Sequence, residues 1–484
     1  MRDIITREPD PSAYQTLTAN GIAPRLARLY AARGVTSTQQ LQYTLAAMLP
    51  PAQLAHIDHA VALLIEAIAT QQRLLIVGDY DADGATATAV AMRALGSMGA
   101  RVDFVVPDRF KYGYGLTPEI VALAAEKRPD ILITVDNGIA SLAGVTAANR
   151  LGIRVLVTDH HLPGEALPEA AAIVNPNQPG DSFPSKNLAG VGVIFYLMLA
   201  LRAALRERGH FVSRPEPNLA DLLDLVALGT VADVVRLDHN NRLLVEQGLQ
   251  RIRAGRMSAG IRALLKVGGR DPARASTYDL GFVVGPRLNA AGRLDDMTIG
   301  INCLLTTDEN TALQWATQLD ALNRDRRVIE ANMKDEALSG LANIDVNGRY
   351  TLALFEPGWH QGVVGILASR IREQYHRPVI AFARDSEGPT AGYLKGSGRS
   401  IPSLHLRDAL DLITKRHPHL ITRFGGHAMA AGLTLPQAAL ADFALAFEAV
   451  ARQMLTPSDL FERIETDGVL TTDDLDFDFV QTLE

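Results

Sequence analysis

The sequence predicts an α/β protein with two α/β lobes, the first a doubly wound, mainly parallel sheet, joined by a long connector helix. Short branched apolar runs at 73–77, 131–135 and 154–157 alternate with helix-like segments, which is the pattern of a parallel sheet with right-handed crossovers. Over 308–341, apolar residues recur at three-to-four spacing, which predicts a long helix with a single apolar stripe. Strand-like segments then return near 351–355, 379–382, 391–395 and 432–435.

The remaining elements follow from similar patterns. Residues 1–47 are mainly helical, and Leu26, Leu29 and Tyr30 suggest an amphipathic cover. The segment 251–300 contains the string PRLNAAGR, which we expect to form a loop. The first lobe takes strands at 73–77, 102–106, 131–135, 154–157 and 172–174, with helices at roughly 86–99, 118–127 and 141–150.

Polar side chains follow three of these strands at the point where each strand ends. Because the carboxyl ends of parallel strands share one edge of the sheet, and ligands bind at that edge, these side chains should meet in space. Crowded carboxylates repel one another, so folding alone gives no reason to gather them. The groups are Asp79, Asp81 and Asp83 in GDYDADG, then Asp136-Asn137-Gly138, then Asp159-His160-His161.

Carboxylates with one or two imidazoles predict a particular kind of metal site. Ca²⁺ takes oxygen ligands only, and structural zinc sites use thiolates, of which this chain has at most one. Mn²⁺ or Mg²⁺ remains, and five or so ligands exceed what one ion needs, so we expect two divalent cations. Paired ions suit in-line attack on phosphorus, because they activate water and stabilise the leaving oxygen. The residues therefore predict a phosphoester hydrolase.

The bulk composition fits this prediction and excludes other classes. A chain of 484 residues, 47% hydrophobic and 21% charged, is long enough for two or three globular domains. We expect no membrane association, because no segment has the apolar length of a membrane span and the polar start MRDIITREPD is no signal peptide. Cys303 is the only cysteine, so we expect no disulfide framework and a cytoplasmic protein.

The net charge of −7 combines two opposite regions. Residues 457–484 hold nine acidic residues against Arg463 alone, which gives −8 there and leaves +1 for the remainder. Residues 391–431 carry six Lys or Arg against Asp408 and Asp411. A local basic face of this kind can bind phosphates while acidic residues elsewhere dominate the sum.

Three strings, GDYDADG, VDNG and TDHH in that order, resemble the motifs of the DHH phosphoesterase family. Further matches are ALGTVADVV, PRLNAAGR, GWHQGVVGI, GSGRS and GGHAMAAG, and the similarity runs from about residue 15 to 455. Within the family the chain is similar to single-strand-specific 5′→3′ DNA exonucleases, and its second lobe resembles the DHHA1 module. Such chains continue into an OB-fold. Here ETDGVLTTDDLDFDF resembles only the start of that region, so we expect the OB-fold to be absent.

The resemblance implies roles for the polar groups. Five residues match the family's metal ligands: Asp81, Asp83, Asp136, His160 and, in GTVADVV, Asp233. Asp136 is expected to bridge the ions, and His161 to lie beside the scissile phosphate as a catalytic residue. Asp79 is expected to act in catalysis by orienting the ligands. For Asp159, holding the backbone turn and bonding an imidazole are both open.

Substrate contacts are implied in the same way. Arg109 follows the second predicted strand, so it should reach the same edge, and the resemblance implies that it receives a 5′-phosphate. Ser397 and Arg399 lie in one of two glycine-rich segments, 396–400 and 425–432, expected to be anion-binding loops that hold the 5′ end; tight turns are the alternative. Further candidates are His360 and Arg370 near a predicted helix at 361–374, His427 in the GGH turn, and Arg287, Asn289 and Arg293 between the domains, where a packing salt bridge is the alternative for Arg293.

Together these features predict a metal-dependent exonuclease that degrades single-stranded DNA 5′ to 3′ to 5′-mononucleotides, in DNA repair and recombination. One alternative is a DHH phosphodiesterase acting on short oligoribonucleotides, phosphonucleotides or cyclic dinucleotides; another is a non-catalytic DHH-fold DNA-binding module. The resemblance also implies a monomer, with single-strand-binding protein and a helicase as partners. The expected domains are an N-terminal helical cover (1–47), the DHH catalytic domain (48–300), the connector helix (301–348), the DHHA1 substrate-binding domain (349–455) and an acidic tail (456–484).

Overall fold

A computed structural model describes residues 3–108, 112, 115–341, 346, 348–385, 392–472 and 475–483 of the protein. The chain divides into two compact units. The first unit is Gln42–Arg326, and the second unit combines Met1–Leu41 with Arg327–Glu484. Each unit contains a five-stranded sheet, and the predicted α/β class with a parallel sheet in the first lobe is confirmed.

The chain begins in the second unit. A short strand, β1 (Asp3–Thr6), precedes helices α1 (Pro11–Ala19) and α2 (Pro24–Ala32). Helix α1 begins where the sequence provides a cap, because the Asp10 side chain accepts a hydrogen bond from the N–H of Ala13 and proline occupies the first helical position. The segment is mainly helical, but strand β1 was not expected.

Five parallel strands form the sheet of the first unit, in the order β3-β2-β4-β5-β6. The strands are β2 (Arg73–Gly78), β3 (Arg101–Val105), β4 (Ile131–Val135), β5 (Arg154–Thr158) and β6 (Ala172–Val174), each within one residue of its predicted bounds. Alternate side chains enter two different cores: Leu74 and Ile76 pack on one side of the sheet, Leu75 and Val77 on the other. Both faces are therefore covered, as in doubly wound folds.

Ten helices of the described part of the first unit surround this sheet. They are α3 (Ile57–Ala69), α4 (Ala82–Ser97), α5 (Pro118–Ala125), α6 (Leu142–Arg150), α7 (Gly190–Glu207), α8 (Leu223–Ala232), α9 (His239–Arg253), α10 (Ala259–Val267), α11 (Gly285–Leu294) and α12 (Thr298–Leu305). Helices α5 and α6 share a core on one face, and α3, α4 and α7 share the core on the other.

The string PRLNAAGR forms helix α11, so the expected loop was wrong. A π-helix (Asp279–Val284) runs directly into α11, and Pro286 occupies its first turn, where a missing N–H costs nothing. Gly292 lies against the backbone oxygen of Tyr80, an approach that a Cβ atom would prevent. Gly292 is therefore required for close packing and not for a turn.

Helix α13 (Glu309–Leu341) is the predicted long helix, and along the chain it runs from the first unit into the second. Leu319 and Met333 on its apolar stripe are buried, as the three-to-four spacing predicted. Among the helices that the structure describes, none alone is long and apolar enough to cross a membrane; one bent pair, Leu45–Gln53 with Ile57–Ala69, meets the criterion by length and composition.

The second unit has a mixed sheet in the order β10-β11-β9-β8-β7, in which only β7 and β8 are parallel. Its strands are β7 (Leu352–Phe355), β8 (Val379–Arg384), β9 (Tyr393–Arg399), β10 (Arg423–Gly426) and β11 (Ala430–Pro436). Its helices are α14 (Val364–Tyr375), α15 (Leu406–Arg416) and α16 (Leu440–Met454).

The glycine-rich strings of this unit lie mostly in strands, which corrects the prediction of two loops. GSGRS ends β9, and GGHAMAAG spans β10, a turn at 427–429 and β11. A Cβ on Gly396 would come within 2.5 Å of the Phe382 ring, and one on Gly398 within 2.7 Å of Leu406. The neighbouring side chains fill the space, so these two glycines are required by packing across the sheet.

The C-terminal segment returns to the N-terminal one. Strand β12 (Arg463–Thr466) pairs in parallel with β1, and Arg7 bonds to Glu465 at 2.9 Å. Arg33 pairs with Asp467, and helix α17 (Phe477–Leu483) places Phe479 under the guanidinium of Arg25. Part of the acidic tail is thus bound by arginines of the N-terminal segment.

Candidate metal centre and substrate site

Sheet register brings the acidic groups to one edge. Gly78 is paired with Val135, and Val135 with Thr158, so the residues that follow, Asp79, Asp136 and Asp159, leave three adjacent strands together. All three are buried. The convergence predicted from parallel strand ends is therefore present in the structure.

The predicted metal and catalytic residues of this edge lie close enough together to bind metal ions jointly. Three sets of three residues each have one ligand atom within 4.8 Å of the others. The sets are Asp79, Asp81 and Asp136; Asp83, His160 and Asp233; and Asp136, His160 and His161. Asp233, at the end of α8, joins the set from outside the sheet, as the family resemblance implied.

His160 directs a buried nitrogen into the acidic cluster. Its Nε2 lies 3.1 Å from Asp136 Oδ1 and 3.5 Å from Asp233 Oδ2. Within the described part of the chain this nitrogen has no hydrogen-bond partner. A buried imidazole nitrogen without a hydrogen bond, placed among carboxylate oxygens, fits a metal ligand, and the donor set as a whole suits Mn²⁺ or Mg²⁺.

Backbone amides fix the carboxylates around this nitrogen. Asp83 accepts hydrogen bonds from the N–H groups of Gly190 at 2.6 Å and Val191 at 2.9 Å, at the start of α7. A Cβ on Gly190 would come within 2.6 Å of Asp136 Oδ1, so glycine is needed there. Asp81 caps helix α4 through the N–H of Gly84 at 3.0 Å.

Gly190 and Val191 are contributors that sequence reasoning missed. They lie 107 and 108 residues beyond Asp83, and no spacing connects the two segments. The string LAGVG, with small residues directly before a long apolar helix, was the available signal. It indicates close packing, although it does not reveal the partner.

Asp159 combines both roles left open by the sequence. Its Oδ1 accepts from the backbone N–H of His160 at 2.7 Å and bonds to Nδ1 of His161 at 2.8 Å. Its Oδ2 accepts from the N–H of Ile139 at 2.9 Å. Asp159 therefore holds the turn and also fixes the ring of His161.

The carboxylates of the cluster repel one another strongly. Burial raises the pKa of Asp83 to about 7, with the charge of Asp81 adding to it. Burial and the neighbouring charge of Asp83 raise the pKa of Asp136 well above its usual range and that of Asp233 to about 9. Cations bound among these groups would relieve this repulsion and keep the carboxylates ionised.

The two adjacent histidines have opposite electrostatic environments. Burial lowers the pKa of His160 to about 4, and the charge of His161 acts in the same direction. Burial also lowers the pKa of His161, but the hydrogen bond to Asp159 and the charges of the neighbouring carboxylates together outweigh it and raise that pKa to about 9. A neutral His160 suits a metal ligand, and a protonated His161 suits a group that stabilises negative charge.

In the second unit, two predicted residues meet the start of a helix. Ser397 and Arg399 are half-buried neighbours on β9, and Arg399 Nη1 donates to Ser397 Oγ at 3.2 Å. A Cβ on Gly365 would lie 2.9 Å from Ser397 Oγ and 3.2 Å from Arg399 Nη2, which places both against the first turn of α14. His360 precedes this helix, and its Nδ1 accepts from the N–H of Gly362. A hydroxyl, a guanidinium and a helix N-terminus together favour an anion.

Helix α11 places two predicted substrate residues in internal contacts. Arg287 is buried, pairs with Asp320 at 2.8 Å and donates to the carbonyl oxygen of Val283. Arg287 is thus held by contacts within the unit, and its contact with the substrate stays a prediction. Asn289 Oδ1 accepts from the N–H of Ala82 at 2.8 Å, so Asn289 anchors the loop that carries the metal-site carboxylates.

The remaining predicted substrate residues are placed as follows. Arg293 is half-buried in the last turn of α11, and His427 is exposed in the turn between β10 and β11. Arg370, on α14, bonds to Glu330 at 3.0 Å and is half-exposed. Arg109 lies outside the described residues.

Comparisons with known proteins agree with this geometry. Residues 73–230 match the DHH family, N-terminal domain, and residues 347–453 match the DHHA1 domain. The fold and the site thus define a DHH-type protein with a DHHA1 domain.

The chain is 54% identical, over 480 residues, to the single-stranded-DNA-specific exonuclease RecJ of Dickeya dadantii, covering 98% of this chain and 82% of that protein. Crystal structures of RecJ from Thermus thermophilus in complex with Mn²⁺ and with Mg²⁺ match with TM-scores of 0.80 and 0.74 at 32% and 30% identity. Those matches cover 97% of this chain but 64% and 63% of the Thermus chains. The chain belongs to the RecJ family, which confirms the predicted resemblance.

Proposed function

We propose that this protein is a metal-dependent exonuclease that degrades single-stranded DNA from 5′ to 3′ and releases 5′-mononucleotides. The observation that carries the proposal is the convergence of acidic and imidazole side chains from distant segments at one sheet edge, in a member of the RecJ family. The name of the Dickeya relative, a single-stranded-DNA-specific exonuclease, supports the substrate class. The complete acidic cluster argues against a non-catalytic module.

Two divalent cations, Mn²⁺ or Mg²⁺, fit the centre. The set of Asp79, Asp81 and Asp136 offers oxygens only, and a second set joins Asp83 and Asp233 to the nitrogen of His160. When bound, such ions activate a water molecule and stabilise the leaving oxygen. Asp136 belongs to more than one of the ligand sets and is the candidate to bridge the ions.

His161 is the proposed catalytic residue of the chain itself. Protonated and held by Asp159, it offers a fixed positive group at the edge of the acidic cluster. There it would stabilise charge developing on the phosphate oxygens or protonate the leaving oxygen. Asp159 is the positioning residue for this ring.

The 5′ end is proposed to bind in the DHHA1 domain, which we assign to 349–455. Ser397 and Arg399, on β9 against the first turn of α14, would receive the terminal phosphate, because a guanidinium fork and helix amides both match phosphate oxygens. Recognition of the terminal phosphate would set the direction of hydrolysis. Arg109, Arg293, His360, Arg370 and His427 are proposed as further contacts.

The cellular setting follows from the same family membership. We propose a monomeric, cytoplasmic enzyme of DNA repair and recombination, with single-strand-binding protein and a helicase as partners. The domain assignment adds a helical cover (1–47), a catalytic domain (48–300), a connector helix (301–348) and an acidic tail (456–484). Cys303 is buried and forms no disulfide, which accords with a reducing compartment.

The test is digestion of one DNA strand labelled at either end, with Mn²⁺ or Mg²⁺. We expect a 5′ label to be released as a mononucleotide at once, while a 3′ label shortens progressively. Duplex DNA, RNA and cyclic dinucleotides serve as control substrates. Faster hydrolysis of short oligoribonucleotides or cyclic dinucleotides than of the DNA strand would favour the alternative DHH phosphodiesterase, and release from the 3′ end would contradict the proposed direction.

A further inference from the structure

An exposed aromatic pair lies at the π-helix that precedes α11. The rings of Tyr278 and Phe282 are stacked, with centroids 5.0 Å apart and planes at 27°. Tyr278 is 56% exposed and Phe282 is 65% exposed, although Leu280 and Val284 of the same turn are fully buried. Two adjacent aromatic rings left in solvent gain nothing for the core, so the pair calls for a partner with an apolar face.

A strongly basic segment adjoins the pair. Residues 251–274 carry seven Lys or Arg against Asp271 alone. The guanidinium of Arg270 lies over the Tyr278 ring at 5.7 Å and also pairs with Asp279. Lys266 and Arg274 are exposed, and neither forms an ion pair with any residue that the structure describes. The cations therefore remain available to a polyanion.

The π-helix beside the aromatic pair packs on the helix that ends at the metal-centre residue Asp233. A Cβ on Gly281 would lie 3.2 Å from Val231, and one on Gly285 would lie 3.1 Å from Ala232, so the π-helix packs on the end of α8. Asp233 is the residue that follows Ala232. At 1.5 Å per residue, Phe282 lies roughly 10 Å along the helix from Asn289, which bonds to the metal loop.

We propose that this basic aromatic surface, formed by Tyr278, Phe282, Lys266, Arg270 and Arg274, binds a single DNA strand outside the metal centre. Bases stack on the exposed rings while the cations contact the phosphates. Stacking on aromatic rings is the general way in which proteins hold single strands without reading their sequence, and a duplex cannot offer its base faces in this way. The inference deepens the proposed function and rests on it for the identity of the polymer.

The first experiment measures binding without hydrolysis. Fluorescence anisotropy with a labelled 20-mer of thymidine, in EDTA, is compared for the wild type, Phe282→Ala and Tyr278→Ala. We expect each substitution to weaken binding about tenfold, because one stacked base is lost. The double variant Lys266→Ala, Arg274→Ala should reduce the slope of log affinity against log salt by about 0.7 for each contact removed.

Matched controls come from the same unit. Leu151→Ala removes an apolar side chain that is 58% exposed, and Arg208→Ala removes an exposed arginine. Neither should alter strand affinity by more than about twofold. A strand with a single abasic position, moved along the 20-mer, should bind the wild type less well at the registers that face the two rings, and Phe282→Ala should lose this sensitivity at one of them.

Kinetics separate this inference from the proposed function. With Mn²⁺, Phe282→Ala should raise KM for the 20-mer about tenfold and leave the hydrolysis of a 5′-phosphorylated dinucleotide unchanged, since the proposed surface binds the strand outside the metal centre. If the wild type degrades the 20-mer and neither ring substitution changes its affinity or KM, the surface is not a strand site, although the nuclease assignment stands. A change in sedimentation without a change in strand affinity would instead make the surface a contact between copies of the chain, and would overturn the proposal.

If the wild type hydrolyses no DNA with either metal, the proposed function fails. The measurements in EDTA still decide whether the surface binds a strand, and equal binding by wild type and ring variants there would sink the inference independently.

Discussion

The metal centre of the first unit and the anion site of the second unit differ in how firmly their side chains are held. Asp83, Asp136 and Asp159 are each 1% exposed. Backbone amides from other segments fix Asp83 and Asp159. Ser397 and Arg399 are half-buried, and Arg399 bonds to the Ser397 hydroxyl and the Gly398 carbonyl oxygen. A centre for chemistry must hold its groups before the substrate arrives, whereas a site that receives a chain end must stay open.

Backbone conformation shows the same contrast. Near the metal centre, two residues that are not glycine adopt left-handed backbone, Asp136 and Val234, each with φ of 63°. In the turn beside the anion site, the positive φ belongs to Gly426, which tolerates it. Strain of this kind persists where the surrounding structure enforces a required geometry. Of the two sites, the metal centre is therefore the one with left-handed backbone at residues other than glycine directly beside it.

The largest expected effect comes from removing the central carboxylate. Asp136→Ala should abolish hydrolysis under Mn²⁺ and Mg²⁺, because Asp136 is the carboxylate that belongs to two of the three ligand sets. The measurement is single-turnover digestion of a labelled strand, together with calorimetric titration of Mn²⁺. Asp103→Ala, an exposed acid on β3, is the control and should retain activity. Undiminished Mn²⁺-dependent digestion by Asp136→Ala would refute the assignment of the centre.

A smaller effect should follow from one methyl group that touches no substrate. Gly190→Ala would place a Cβ 2.6 Å from Asp136 Oδ1 and disturb the amide that holds Asp83. Changes to groups that orient ligands lower metal affinity by about 10–100-fold. We expect a loss of that size in Mn²⁺ affinity by titration, with the circular dichroism spectrum unchanged.

Gly192→Ala on the same helix is the matched control for this change. The nearest atoms to a Cβ there all belong to the Leu188 side chain, and the closest is its terminal Cδ2 at 3.0 Å, which can move. Mn²⁺ affinity should stay close to that of the wild type. Equal losses in both variants would mean that the helix, rather than the centre, was damaged.

In the anion site of the second unit the expected effect is smaller and is confined to strands with a 5′-phosphate. Arg399→Ala should reduce the preference for a 5′-phosphorylated over a 5′-hydroxyl strand about tenfold, the order of one charged hydrogen bond. The ratio of kcat/KM for the two strands is the measurement. Arg423→Ala, exposed on β10 of the same sheet, should leave that ratio unchanged. If Arg399→Ala slows both strands equally, the residue does not recognise the terminal phosphate.

The sequence predicted most of the centre because the rules involved are local. Strand runs such as 131–135 show their burial directly, and residues after parallel strands must share an edge, so Asp79, Asp136 and Asp159 could be brought together without any structure. Contacts across distant segments follow no such rule. The amides of Gly190 and Val191 on Asp83 could not be predicted, because they depend on how a helix packs more than a hundred residues later.

Glycine-rich strings misled the sequence reasoning for one physical reason. Glycine permits tight turns, but it also permits close packing, and the sequence does not distinguish the two. Gly292 in α11 and Gly396 in β9 serve packing. The basic run at 251–274 is different, because it is visible in the sequence, whereas its position beside Tyr278 depends on the fold, which places Arg270 over that ring.

The smallest expected effect tests the backbone strain itself. Val234 is 86% exposed, so its side chain contributes little packing, while its positive φ costs a β-branched residue roughly 1–2 kcal/mol. Glycine removes that cost but adds about 0.5–1 kcal/mol of unfolded-chain entropy, so Val234→Gly should gain about 0.5–1 kcal/mol in urea unfolding. Val212→Gly, at a residue that is 91% exposed and has no positive φ, should lose about as much. Equal destabilisation by both substitutions would show that Val234 carries no strain, and the contrast between a constrained centre and an open anion site would then depend on side-chain burial alone.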